Sequence, residues 1–474
     1  MTEHRPGAAA PADVLIVGAG VVGTAIARTL ARYELTCTVI EAGNDVGTGT
    51  TKANTAILHT GFDAVPGSLE SRLVRRGAEL LRGYAQQAGI PLERTGALLV
   101  AWTAEQAAQL GEIEAKARQN GYHAASPVPT AELYAREPHL GPGARGALSI
   151  PDESIICPWT PPLAYATEAA RAGVRFELGT RVLGISAADG GHEVRTSKGT
   201  RYCRWLVNAA GLESDSVDAM TGGASFTIRP RRGELIVFDK LARPLVNSIL
   251  LPVPTPQTKG VLVAPTVYGN VLLGPTAQDV ASKTDTATTE AGLGSLLDAG
   301  RRIMPDLVAE EVTATYAGLR AATEHRDYQI RVDPARRYAC AGGIRSTGLT
   351  ASLAIAEYVT SQLADAGLDL RERPDLPPPP VMPYIGQAGL RPYQDAARIA
   401  ADGAYGEIVC HCERVTRGEL RDALGSDLPP ADLDGLRRRT RALNGRCQGF
   451  FCAAAVAQLA GFRANGAGAA GRPA

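Results

Sequence analysis

Cys410-His411-Cys412 and, further along, Cys447-Gln448-Gly449-Phe450-Phe451-Cys452 place four thiols in two short motifs. As thiolates they could surround a two-iron, two-sulfide core, two sulfurs to each iron. Four cysteines also suit tetrahedral zinc, although zinc sites usually space paired cysteines by roughly two to four residues, and Cys-x-Cys is tight for that. A vestigial, empty site is the third reading. His411 reads as a solvated neighbour of the ligands. The other cysteines, Cys37, Cys157, Cys203 and Cys340, are scattered. Crowding of half the set suggests ligands, not the disulfide framework of a secreted chain.

A second constellation lies near the N-terminus. Gly18-Ala19-Gly20-Val21-Val22-Gly23 directly follows the apolar run Val14 to Val17 and precedes a helical pattern over Thr24 to Tyr33. The glycines allow a tight turn, close approach of a pyrophosphate to backbone N–H groups, and close packing of helix on strand. Glu41 ends the next strand, Cys37 to Ile40, where an acid accepts hydrogen bonds from a ribose hydroxyl. The fingerprint alone does not separate FAD from NAD. The residues after Glu41 favour FAD: a hydroxyl-rich, small-residue stretch containing Thr50, Thr51, Asn54 and Thr55 suits wrapping a long cofactor, where an NAD domain would continue its strand–helix alternation. Ala209 and Gly211 close the strand Leu206-Val207-Asn208, and Gly343 to Gly348 forms another Gly-rich strand-to-helix turn. A helix N-terminus there would stabilise negative charge on a reduced flavin ring. A flavin accepts two electrons as hydride and an iron–sulfur cluster passes one, so both on one chain imply a relay, and a dehydrogenase over an oxygen-consuming oxidase.

The elements that must position these residues read as a parallel β–α–β unit over 12–45. Helical patterns rich in Ala, Leu and Arg follow from about 60 to 140, with an apolar strand at Ala97 to Trp102. Short β-like runs such as GELIVF, KGVLVAPTVYGNVLLGPT and RYACAGGI dominate 145–345. A helix-like run spans Gly348 to Ala366. RERPDLPPPPVMP, 371–383, holds too much Pro for helix or central strand and reads as an extended linker, after which 395–465 is helical in pattern. The fold class is α/β, α+β overall, with a substrate domain woven through a nucleotide-binding one and a small helical C-terminal unit. The chain has 474 residues, enough for about three compact units. Lys plus Arg and Asp plus Glu number 49 each, which excludes an overall charge that would draw the chain to nucleic acid or an anionic membrane. Met1 to Pro11 holds no apolar stretch, and nowhere do about 18 apolar residues run uninterrupted, so no transmembrane segment is expected. The chain reads as cytoplasmic, at most peripheral to an inner membrane.

GAGVVG, Glu41, TTKANTAILHTG, LVNAAG, PRRGE, PTVYGNVLLGPT, GLR and GIRSTGLTASLAIAEYV together resemble the FAD-dependent D-amino-acid-oxidase/glycerol-3-phosphate-dehydrogenase superfamily over 12–366. PTVYGNVLLGPT and GIRSTGLT look most like the branch related to the anaerobic glycerol-3-phosphate dehydrogenase large subunit. HTGFDAVPGSLESRL also resembles L-2-hydroxyglutarate-oxidising flavoenzymes. CHCERVTRGELRDAL and GRCQGFFCAAAVAQL are similar to the bacterioferritin-associated-ferredoxin-like [2Fe–2S] domain. The resemblance implies a Rossmann-type domain holding extended FAD, with Val182, Leu349 and Thr350 joining the cofactor contacts, and a mixed-sheet substrate domain. His59 becomes the candidate base, with a structural His as the equal alternative. Arg320 matches an arginine that contacts the substrate's anionic group, a role its planar fork suits. Arg345, Arg232, Lys52 and Tyr268 are further pocket candidates, Arg345 also toward the cofactor. Phe62-Asp63 replaces an Arg-Tyr pair that several relatives carry after His-x-Gly, which leaves the substrate open among glycerol 3-phosphate, another polyol phosphate and a 2-hydroxy acid. An amino-acid or amine dehydrogenase, and a non-enzymatic electron-transfer subunit, are the rival readings. The expected partners are a small anionic substrate and an electron acceptor, either a quinone reached through a partner subunit or a soluble carrier. Homo- and hetero-oligomers both stay open.

Overall fold

A computed structural model describes residues 11–254 and 260–462. The strand Ala12–Val17 lies between two parallel neighbours, Cys37–Ile40 and Gly199–Asn208, in an eight-stranded sheet. Arg175–Glu177 extends the parallel set beyond Cys37–Ile40, and Tyr338–Gly342 extends it beyond Gly199–Asn208. The central strand is covered on both faces, which is why Val14 to Val17 and its neighbours Val39, Ile40, Leu206 and Val207 are apolar and buried. Val14 and Ile16 enter one core cluster while Leu15 and Val17 enter another, the period of two expected of a strand. Helices Val21–Leu30, Leu69–Ala88, Thr160–Arg171 and Gly348–Asp365 pack together on the first face. The first of them begins three residues before the expected Thr24, because Gly20 takes extended backbone and serves as the N-cap.

The second, nine-stranded sheet is assembled from segments scattered between Ala97–Ala101 and Val312–Ala322. The chain therefore crosses repeatedly between the two sheets, and the domains are interwoven. Arg229–Phe238 pairs along its length with Val312–Ala322, which sets Arg231 opposite Arg320 and Gly233 opposite Gly318.

The Pro-rich segment 371–383 forms no helix or paired strand apart from a single bridge, Tyr33 to Glu372. It is nevertheless fastened to the body. Arg373 donates to the carbonyls of Tyr33, Ala172 and Leu35, and the Met382 N–H to that of Ala88. Beyond it a small unit forms around its own core of Cys410, Val415, Leu420, Leu436 and Val456. It comprises the helices Ala396–Ala401, Arg417–Leu424, Leu433–Thr440 and Ala453–Ala460 with the hairpin Ile408–Cys410/Val415–Thr416, and the expected end at 463–465 lies outside the described residues. Among the described residues no helix is long and apolar enough to cross a membrane.

Candidate active site and cluster site

The glycine loop is tight for identifiable reasons. A Cβ on Gly18, whose φ is +103°, would lie 2.5 Å from the Ala209 carbonyl oxygen, and one on Gly23 would collide with the carbonyl of Gly18. Gly20 meets only Thr51 Oγ1, 3.4 Å from its Cβ position, so the groove above it stays open. The helix that starts at Val21 has no side-chain cap, nor has Gly348–Asp365. Uncapped helix starts leave N–H groups open to an anion, although that of Val21 is taken by Thr51. Glu41 Oε2 accepts from the Ala19 N–H at 2.7 Å and Oε1 from that of Gly43 at 2.6 Å. Burial raises the Glu41 pKa above its usual range, against the pull of these N–H bonds. Thr180 donates its N–H to the Glu41 carbonyl, which brings the strand from Val182 alongside.

The 50–60 segment links the cofactor loop to the second sheet. Thr51 accepts from the Val21 N–H at 3.1 Å, while Thr50 Oγ1 donates to the Leu319 carbonyl at 2.8 Å, next to Arg320. Asn54 bonds back to Thr51 and receives the Ala56 N–H, holding Ala56 at φ 57°. His59 follows at the end of the short strand Ile57–Leu58. Its N–H donates to Thr350 Oγ1 at 3.0 Å, and its Nδ1 lies 3.1 Å from Glu153 Oε2. Glu153 is fully buried and also accepts from the N–H and hydroxyl of Thr60. A fixed carboxylate on Nδ1 sets the tautomer and orientation of an imidazole and stabilises its protonated form. Nothing in the sequence signalled Glu153, whose partner is 94 residues away.

Arg320 is largely buried, seated over Gly233, and its hydrogen bond is to the Thr276 carbonyl at 3.5 Å. Among the described residues no carboxylate pairs with it. Burial and the neighbouring Arg231 both lower its pKa, the direction expected of a cation without a counter-ion. The other pocket candidates are engaged elsewhere. Arg232 is neutralised by Asp285 at 2.8 Å and Glu234 at 3.5 Å. Arg345 pairs with Glu70 at 3.3 Å and donates to the Arg326 carbonyl. Lys52 is exposed and offers its carbonyl to Trp159 Nε1. Tyr268 stacks on Trp159 and under Arg441, and its hydroxyl donates to Cys157, so it belongs to the seam with the C-terminal unit. Phe62 sinks into the core and Asn120 ties down the carbonyls of Gly61, Phe62 and Ala64.

The four C-terminal cysteines come together as two pairs. Cys410 hydrogen-bonds with Cys452, and Cys412 with Cys447, and the pairs sense each other's charge. All four are free thiols. The Cys452 thiol, together with N–H groups of Leu443 and Glu413, lowers the Cys410 pKa to about 6. Two sulfur pairs are what a two-iron cluster takes, one pair to each iron. His411 is exposed, as a solvated neighbour should be.

Residues 13–362 match the model of the FAD dependent oxidoreductase family, and residues 408–460 that of the BFD-like [2Fe-2S] binding domain. The chain belongs to the FAD-dependent oxidoreductase family. Its cofactors are FAD and a [2Fe–2S] cluster. This oxidoreductase is 35% identical to a glycerol 3-phosphate dehydrogenase of Caloramator mitchellensis, over 94% of this chain and 93% of that protein. It is 30% identical to the human mitochondrial L-2-hydroxyglutarate dehydrogenase, over 56% of this chain and 60% of that protein. The FAD-bound, dithionite-reduced L-α-glycerophosphate oxidase of Mycoplasma pneumoniae superposes with a TM-score of 0.75 at 29% identity, covering 80% of this chain and all of that one.

In this oxidoreductase the structure gathers Glu41, Thr51 and Ala209 around the glycine loop, through the Ala19 and Gly43 N–H groups, the Val21 N–H and the close approach to Gly18 respectively. The cluster unit does not hang free on its linker but docks against the loop after Glu41 and the end of the strand Arg229–Phe238. Asn44 bonds Asp432, Asp45 bonds Arg438 and Arg439, Lys240 bonds Glu413, and Asp239 bonds Arg446.

Proposed function

We propose that this oxidoreductase is a dehydrogenase of glycerol 3-phosphate or a closely related polyol phosphate. The observation that carries the reading is Arg320, a largely buried guanidinium that meets no carboxylate among the described residues, set beside the Thr50 segment. Leaving such a charge unpaired is costly, and an anionic substrate would supply the missing partner. Bound FAD and cluster supply a hydride acceptor and a one-electron outlet. The chain's residues do the rest. Arg320 anchors the phosphate and so fixes which carbinol lies at the His59 end of the segment. His59 takes the hydroxyl proton as the C–H bond gives up hydride, and Glu153 holds Nδ1 so that the other ring nitrogen does this work. Leaving two electrons and two protons, the alcohol becomes a ketone.

A 2-hydroxy acid is the second reading, favoured by the 2-hydroxyglutarate-oxidising relatives and by a guanidinium that pairs equally well with carboxylate. The deciding experiment is anaerobic titration of the flavin- and cluster-loaded protein. Bleaching of the flavin bands by sn-glycerol 3-phosphate at near-stoichiometric amounts supports the first reading. Bleaching by L-2-hydroxyglutarate alone replaces it with the second.

A further inference from the structure

Phe450 and Phe451 are 85% and 77% exposed. The other five phenylalanines of the chain are buried or half-buried. Both sit between the ligands Cys447 and Cys452, in edge contact with each other at 5.1 Å. The turn that holds the sulfur forces them outward. Gln448 and Gly449 take φ of 47° and 88°, and the N–H groups of Gly449 and Phe451 are directed at Cys447. With those N–H groups committed to sulfur, the side chains face solvent.

The two ligand loops carry exposed charge of one sign. On the two ligand loops, 410–414 and 446–452, the exposed ionisable groups are His411, Arg414 and Arg446, all basic, the last paired with Asp239 and 3.8 Å from the exposed Glu311 of a neighbouring segment. The acid on these loops, Glu413, is buried and neutralised by Lys240 and Arg441. Two phenyl rings offer at most roughly 500 Å², short of the ~800 Å² per partner of a stable dimer but in keeping with transient electron-transfer encounters. A peripheral membrane helix buries an apolar face several turns long, whereas this turn supplies two rings.

We propose that Phe450 and Phe451, rimmed by His411, Arg414 and Arg446, are the docking point of an acidic one-electron carrier protein. The proposal rests on the relay reading of the preceding section. Oxidation of one alcohol to a ketone releases two electrons and two protons, so two carriers are reduced in turn, one electron each, at the cluster end of the molecule.

The test uses the full-length, FAD- and cluster-loaded protein, its Phe450→Ser/Phe451→Ser variant, and acidic cytochrome b5 as the probe. Iron and flavin content and ferricyanide reduction, a small-molecule readout, should match between the two proteins. The second-order rate of haem reduction should fall about tenfold in the variant, and in the parent protein should fall with added salt. Basic cytochrome c should be reduced more slowly. Equal rates with both proteins, a salt-independent rate, or a preference for cytochrome c overturns the proposal. So does loss in the variant of either anionic-vesicle binding or self-association, since another surface would then own the patch. The series is run after reduction by sn-glycerol 3-phosphate and again after photoreduction. Dependence on the two phenylalanines in the second series alone would sink the substrate reading and leave the docking site standing.

Discussion

Asp45 and Arg439, 394 residues apart in sequence, meet in a buried two-pronged ion pair with O···N distances of 2.6 and 2.8 Å. Arg438 adds a third bond at 2.9 Å. Asp45 lies in the loop whose Gly47 N–H bonds the Ala19 carbonyl within the cofactor's glycine turn. The cluster unit thus grips the loop that braces the glycine turn. Replacing Asp45 by Asn leaves the Arg439 charge without its partner, and a loss of about 3–5 kcal/mol is expected. Thermal unfolding should show it, accompanied by faster FAD release on dilution and faster proteolysis within 371–383.

The same seam carries a pH signature. Asp45 and Asp239 feel burial, which raises their pKa values, but the guanidinium groups of Arg439 and Arg446 overcome it and hold both below the usual 3.8. Depressed carboxylates stabilise fully above their unfolded pKa, and the contribution is lost as pH falls through the lower folded value. Docking should therefore survive mild acid and fail only below about pH 3.8, followed by the fluorescence of Trp159 at the seam. Release near pH 6 would contradict the assignment.

For Arg320 the expected signs for function and stability are opposite. Arg320→Met should lower kcat/KM for an anionic substrate by about a hundredfold or more, mostly through KM. The substrate-free protein should be no less stable, because a largely buried cation with no carboxylate partner among the described residues has been removed. A marked drop in its melting temperature would mean that Arg320 is structural.

His59→Asn should reduce kcat by roughly 10²–10⁴, and Glu153→Gln by less, with FAD content intact in both. Equal, near-normal kcat in the two variants, measured by anaerobic stopped-flow flavin reduction, would make the pair a structural one.

Two glycines separate fold from cofactor. Gly23→Ala drives a methyl into the Gly18 carbonyl and should yield little folded protein. Gly20→Ala has room, with Thr51 Oγ1 at 3.4 Å, and should fold yet retain FAD more weakly, read by flavin fluorescence. Cys447→Ser should lose iron and Cys157→Ser should not, since Cys157 lies in a separate hydrogen-bonded pair with Tyr268.

Sequence by itself determined what depends on neighbours along the chain. The glycine loop between strand Ala12–Val17 and its helix, Glu41 at the end of the next strand, the Gly-rich turn before Gly348 and the two cysteine motifs are local patterns. Their backbone geometry is set within a few residues, so spacing reveals them. Interwoven domains were legible too, since β-like runs are scattered among helical ones. Only the tertiary structure decided which ionisable side chains are spoken for. Arg232, Arg345 and Arg320 look alike as residues, yet the first two meet Glu234, Asp285 or Glu70 and the third meets no carboxylate among the described residues. It supplied Glu153 to His59, moved Tyr268 to a seam, and docked the cluster unit on the Asp45 loop, where the Pro-rich segment alone would have allowed several arrangements. The physical reason is the same throughout. A charge is defined by what compensates it, and in a folded chain the compensating group is brought in from a distance that no local pattern records.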